Sequence, residues 1–126
     1  MLKVSIPTRC ENSPKKKLIV DFNRYFGEGD IQALSHFLDE KVIWQLIGKQ
    51  TVKGKENVIQ LMDEMKGVEV NELILESVIT HGKEAATNGT MIMANGDQYA
   101  FADIYEFTSA TGNLLQKITS YTIKTN

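Results

Sequence analysis

The sequence predicts an α+β fold with its helices in the first half and an antiparallel sheet in the second. Three observations carry this expectation. Up to Gly67 apolar residues recur mostly at helical spacing, whereas beyond it they follow strands broken by glycine-bearing turns. Between Leu18 and Gly54 the chain reads as two helices end to end, a short apolar strand, and the turn into a third helix.

Taken in order, Ser13-Pro14 supplies an N-cap and a proline at the first helical position, and Leu18, Phe22, Tyr25 and Phe26 continue the helical stripe to about Phe26. Lys15, Lys16 and Lys17 lie at the positive end of this helix dipole and are read as a solvated face. Gly27 and Gly29 stop the helix. Asp30 then caps a short second one, whose buried side is Leu34, Phe37 and Leu38, with His36 between them a candidate for a cavity wall. Residues 41–47, with Val42, Ile43, Trp44, Leu46 and Ile47, are too short and too β-branched for a helix and form the first strand. After Gly54, the spacing of Val58, Leu61, Met62 and Met65 marks the third helix, its methionines read as core filling. Strands over about 70–81, 84–94, 98–109 and 114–124 follow, joined by His81-Gly82-Lys83, Asn95-Gly96-Asp97 and Thr111-Gly112-Asn113, so a meander is the simplest assembly.

A length of 126 residues suits one domain spanning 1–126, with 1–12 a loosely attached N-terminal segment, and removes roughly two-thirds of the unfolded surface from water. The 42% apolar and 24% charged content is that of an ordinary globular chain. A net charge of −2, with no basic block longer than the three lysines, argues against a nucleic-acid or anionic-membrane partner. No apolar run reaches the roughly 18 residues of a membrane span, and none near the start forms a signal-peptide core, so a cytoplasmic location is expected. Cys10 stands alone without His or Cys clusters, so it is read as a solvent-side thiol, and neither metal nor cofactor is expected. Asn88-Gly89-Thr90 matches a glycosylation acceptor but falls inside an expected strand, which favours chance.

The order of helices and sheet, with Gly29-Asp30 opening helix two, Asp39-Glu40-Lys41-Val42-Ile43-Trp44 entering the first strand and Gly54-Lys55-Glu56-Asn57-Val58 opening helix three, resembles the nuclear transport factor 2-like superfamily. The similarity covers residues from about 15 to 124 and lies nearest the SnoaL-like and ketosteroid isomerase-like branches. It implies a cone-shaped, cystatin-like fold: three N-terminal helices packed in a curved antiparallel sheet, with a pocket at the open end. Members include isomerases, cyclases, dehydratases and epoxide hydrolases as well as binding modules, so the fold does not settle the chemistry.

Residue by residue, the isomerase machinery is incomplete. Phe22 stands where the resemblance implies the oxyanion-hole tyrosine, and Gln45 where it implies the carboxylate base; neither supports that role. Asp39 and Glu40 are substitute bases only at the helix-to-strand junction, where solvation is the simpler reading. Arg9 and Arg24 are the only arginines, and neither suits an epoxide hydrolase arrangement. The acid position survives in Asp103-Ile104-Tyr105-Glu106-Phe107, and SnoaL-like cyclases use a pocket aspartate as acid/base.

Period two puts Tyr99, Phe101, Asp103, Tyr105 and Phe107 on one face of their strand, so a carboxylate sits among aromatic rings. The leading expectation is a small, mostly apolar ligand in a cone lined by Phe22, Trp44 or Gln45, Tyr99, Phe101, Asp103 and Tyr105. Two alternatives stand beside it: a cyclase, dehydratase or isomerase using Asp103 as its catalytic acid/base, with His36, Tyr25 or Tyr121 as the second group, and a noncatalytic dimerisation module with a closed cone. Both parities of strand 114–124 carry apolar residues, which predicts a homodimer through the outer sheet face.

Overall fold

A computed structural model describes residues 2–7 and 13–126, so the expectations for Arg9 and Cys10 fall outside the described residues. The elements are β1 (Lys3–Ser5), α1 (Pro14–Glu28), α2 (Ile31–Ser35), β2 (Leu38–Leu46), β3 (Gln50–Lys53), α3 (Lys55–Met65), β4 (Val70–His81), β5 (Glu84–Met93), β6 (Gln98–Phe107) and β7 (Leu115–Lys124). They build an α+β structure around one sheet of order β1-β4-β5-β6-β7-β2-β3. The meander β4 to β7 is antiparallel as expected. Two joins are parallel, however: β2 runs alongside β7, and β1 alongside β4.

Local signals account for most of the boundaries. Ser13 caps α1 by accepting from the Lys16 amide, and Gly29, at φ 72°, ends it in the left-handed conformation that glycine adopts without strain. Gly27 does not stop the helix; it lies within α1 and leaves room for the Leu2 side chain, which a Cβ there would meet. Asp30 Oδ1 accepts from the Ala33 amide to cap α2. Lys15 departs from the solvated face read for the three lysines, because its Nζ sits 3.8 Å from the centre of the Phe107 ring and donates to the Gly112 carbonyl at 2.7 Å.

Two short strands escape the period argument. In β1, Val4 and its neighbours Leu2 and Ile6 pack against the core, so this part of the N-terminal segment is tied to the sheet rather than loose. In β3, Gln50–Lys53 forms a hairpin with β2 around Gly48, and its outward residues carry no apolar alternation. β2 also starts earlier than residue 41: Leu38 pairs with Leu115, and the ladder with β7 resumes only at Ile43 after an irregularity. Phe37 belongs to neither α2 nor β2, yet its ring meets Phe22 edge-on at 5.5 Å.

The apolar stripe of α1, led by Ile19 and Phe22, packs into the concave side of the sheet together with Leu34, Leu75, Tyr105, Phe107 and Ile118. Curvature has a visible cause. In β4 the register shifts between Leu75 and Ser77, opposite Gly89 of β5, where a Cβ would collide with the Ile74 carbonyl oxygen. Gly89→Ala is therefore expected to cost at least about 2 kcal/mol of stability, whereas Gly67→Ala, with open space and ordinary backbone, is near neutral. Chemical unfolding of the two variants checks this, and equal midpoints would show that the close approach does not constrain the bend.

Candidate functional site

β6 supplies the wall on which the site is built. Its alternation sends Tyr99, Phe101, Asp103, Tyr105 and Phe107 inward, and all but Phe107 line a cavity of about 690 Å³ inside the cone. α1 adds Phe22 and Asn23, β2 adds Trp44, and β7 adds Ser120. Four methionines, Met62 and Met65 from α3 and Met91 and Met93 from β5, also face it. Met62 belongs to the core, as expected, and Met65 and Met91 pack against it, so the same thioethers that fill the core also form part of the cavity wall. The charged lining residues Glu28, Lys49, Lys66 and Glu69 are exposed, and they balance in sign at the mouth.

A chain of hydrogen bonds runs across the inner wall and converges on Asp103. Asn23 Nδ2 donates to the Ile19 carbonyl at 2.9 Å and to Tyr105 Oη at 3.0 Å, and the tyrosine hydroxyl in turn donates to Asp103 Oδ2 at 3.4 Å. From the other side Trp44 Nε1 donates to Ser120 Oγ at 2.9 Å, and Ser120, the cross-strand neighbour of Asp103, gives its own hydroxyl proton to the carboxylate. Each hydroxyl has a single proton, and an incoming donor on its oxygen turns that proton toward Asp103. Thr87, opposite Asp103 on β5, contributes nothing, because its hydroxyl donates to the Ser77 carbonyl at 2.7 Å.

Burial dominates the electrostatics. It pushes the Asp103 carboxyl from the ordinary 3.8 up to about 6, although the hydrogen bonds from Ser120 and then Tyr105 pull the other way. For Tyr105, burial and then the adjacent carboxylate push the phenol well above 10, so it remains a neutral donor. What is accessible of Asp103 opens onto the cavity. The arrangement can therefore hold a carboxylate or a neutral acid near neutral pH and present it to a molecule inside the cone.

Of the residues expected to bind ligand, Phe22, Trp44, Tyr99, Phe101 and Tyr105 come together around Asp103. Gln45 does not. It lies on the opposite parity of β2 from Trp44 and Leu46, both of which line the cavity, so the strand turns its amide to the outer face. The expected second titratable groups are also elsewhere: His36 is exposed at the end of α2, Tyr25 packs beside Phe37 at 6.0 Å, and Tyr121 is 45% exposed on the outer face. The polar partners are instead Tyr105, Ser120 and Asn23. A polar residue inside the stripe Ile19, Phe22, Asn23, Phe26 is a signal that helical spacing contains. Among the described residues no group of three His, Cys, Asp or Glu side chains is placed to hold a metal ion, and no helix is long and apolar enough to cross a membrane.

No protein-family model matches the chain, and no curated protein matches it. Solved structures do. A nuclear transport factor 2-like protein of unknown function from Cytophaga hutchinsonii is 26% identical, with a TM-score of 0.67 over 86% of this chain and 99% of that one. A ketosteroid isomerase-like protein from Kribbella flavida is 12% identical, with a TM-score of 0.73 over 87% of this chain and 78% of that one. The epoxide hydrolase/cyclase-like enzyme SalBIII, which acts in pyran ring formation in the polyether salinomycin, is 15% identical, with a TM-score of 0.74 over 90% of this chain and 94% of that one. The fold is thus a cone of the nuclear transport factor 2-like type. The chain shares the fold of the nuclear transport factor 2-like superfamily.

The raised carboxyl has a consequence for stability. An unfolded chain ionises Asp103 near 3.8 and the folded one near 6, so the folded state is penalised above pH 6 and the penalty fades as pH falls toward 4. Asp103→Asn is expected to unfold roughly 1–3 kcal/mol harder than wild type near pH 8, with the difference shrinking by pH 5. Thermal unfolding across that range checks it, and a variant equally weakened at every pH would contradict the assigned burial.

Proposed function

We propose that this protein binds a small, mostly apolar ligand in the cone, with Asp103 holding the ligand's polar end. The observation that carries this is the cavity itself: about 690 Å³, walled by aromatic rings and thioethers, with one carboxyl in its inner wall. Ligand sites of this size are largely apolar with a few convergent polar groups. A closed-cone module requires bulky side chains in that space, and the volume speaks against it.

The chain's only tryptophan, Trp44, lines the cavity and donates to the relay through Ser120, so its emission reports on occupancy. Titration with apolar compounds is expected to shift Trp44 emission saturably, and native mass spectrometry to give one ligand per chain. Met91→Phe, which fills part of the cavity, should weaken such binding about tenfold while leaving the fold intact. Emission that no apolar compound alters would defeat the reading.

A second reading, catalysis, has a specific observation in its favour. A carboxyl that titrates near 6 is suited to exchanging a proton with a substrate at neutral pH, and its neighbours in fold include a cyclase-like enzyme and a ketosteroid isomerase-like protein. In that case Asp103 is the acid/base, Tyr105 and Ser120 position it, and the reaction class is proton transfer to or from an apolar substrate.

The proposal extends to a homodimer through the convex sheet face. Ile79, Ile104, Tyr121 and Ile123 are exposed there, and Ala86, Ala100 and Ala102 lie between them in the register. Sedimentation is expected to give twice the 14.2 kDa chain mass at micromolar concentration, and Ile104→Lys to give the monomer. A wild-type protein that sediments at the chain mass would rule the dimer out.

A further inference from the structure

Among the described residues Asp103 is the only carboxyl in the inner part of the cavity, and the groups around it supply hydroxyl protons but no positive charge. From β6 it faces the neutral Tyr105; from β7, the Ser120 hydroxyl; from α1, only the amide of Asn23, through Tyr105; from β5, Thr87, whose proton is committed elsewhere. Among the described residues no lysine or arginine pairs with it. The lysines that line the cavity, Lys49 and Lys66, are exposed at the mouth opposite Glu28 and Glu69, and Lys66 pairs with Asp63 at 2.8 Å. A carboxylate with two donors still has lone pairs to offer, and here they can point only into the cavity.

A charge held away from water without a counter-charge is costly, and the complement to this one is a cation. The rings around it favour the same charge. Phe22, Trp44, Phe101 and Tyr105 line the wall beside the carboxylate, and aromatic faces attract a desolvated ammonium. Resting on the reading of the cone as a ligand site, we infer that the ligand is a lipophilic amine, its ammonium seated on Asp103 and its hydrocarbon body among the methionines and rings. A carboxylate-bearing ligand is disfavoured at this wall, because two like charges would face each other across an apolar gap. A neutral ketone or ether is left to the minor, protonated form of Asp103 at neutral pH.

The test compares decylamine, decanol and decanoate, which share one hydrocarbon chain, by calorimetry and Trp44 emission. Near pH 8 the amine is expected to bind about tenfold more tightly than the alcohol, and decanoate most weakly. The amine stays cationic from pH 5 to 8, so its advantage should fall as pH drops through about 6 and Asp103 takes up a proton. Glu28 and Glu69 lie at the exposed mouth, away from the inner wall, and Tyr105 remains neutral over this range. In Asp103→Asn the ratio of amine to alcohol affinity should collapse to about one; if that variant does not fold, the pH dependence of the wild type decides alone. Decanol binding as tightly as decylamine at pH 8, or an affinity for decanol that rises as pH falls while that for decylamine does not change, overturns the amine and leaves the apolar site standing. If none of the three binds, the ligand site itself is refuted.

Discussion

A sheet that bends around a single helix cannot fill its own interior, and this constraint shapes the rest of the molecule. Strands of ten to twelve residues in β4 to β7 curve over α1, a helix of 15 residues that is about 22 Å long. The bend needs relief on the concave side, which Gly89 provides opposite the irregularity of β4. At one end Phe107 and Leu115 close the trough, with Lys15 over the phenylalanine ring. Toward the other end the walls leave the cavity, lined by Phe26, Trp44, Tyr99 and the methionines.

Polar groups in that gap are arranged so that none is wasted. Trp44 Nε1 and Asn23 Nδ2 each send a proton to a hydroxyl whose own proton then turns toward Asp103. The result is a carboxyl supported from two strands and, through Tyr105, from α1. It is nevertheless raised rather than lowered, because two neutral donors do not replace the water lost on burial. Asp103 weakens the fold at neutral pH and is nonetheless held in place by its neighbours, which makes it the candidate site residue.

Much of this was legible in the sequence where a feature depends on local chemistry. Ser13, Asp30 and Gly29 announce their caps, and the alternation of β6 puts Asp103 among aromatic rings without reference to any other strand. What depends on non-local pairing was not. The choice between Trp44 and Gln45 is the exception: Leu38, Val42, Trp44 and Leu46 share one parity of β2, while Asp39, Lys41 and Gln45 share the other with Ile43, so the alternation itself turns Trp44 inward. Ser120 is unremarked in its own strand and gains its role only from standing beside Asp103 in the register. β1 and β3, of three and four residues, are too short to display a period. The methionines of α3 do fill core, and only the curvature of the sheet shows that they face the cavity as well. Asn23 is the instructive omission, because a polar residue at the centre of an apolar helix stripe can be read without any structure.

The central claim is that the cone holds a carboxyl kept from water by its own walls. Carbon-13 NMR of protein labelled at the aspartate carboxyl follows each titration separately, with Asp103→Asn assigning the resonance. The account predicts an Asp103 midpoint near 6, well above the ordinary aspartate value. A midpoint near 4, the ordinary value for an aspartate in water, would contradict it.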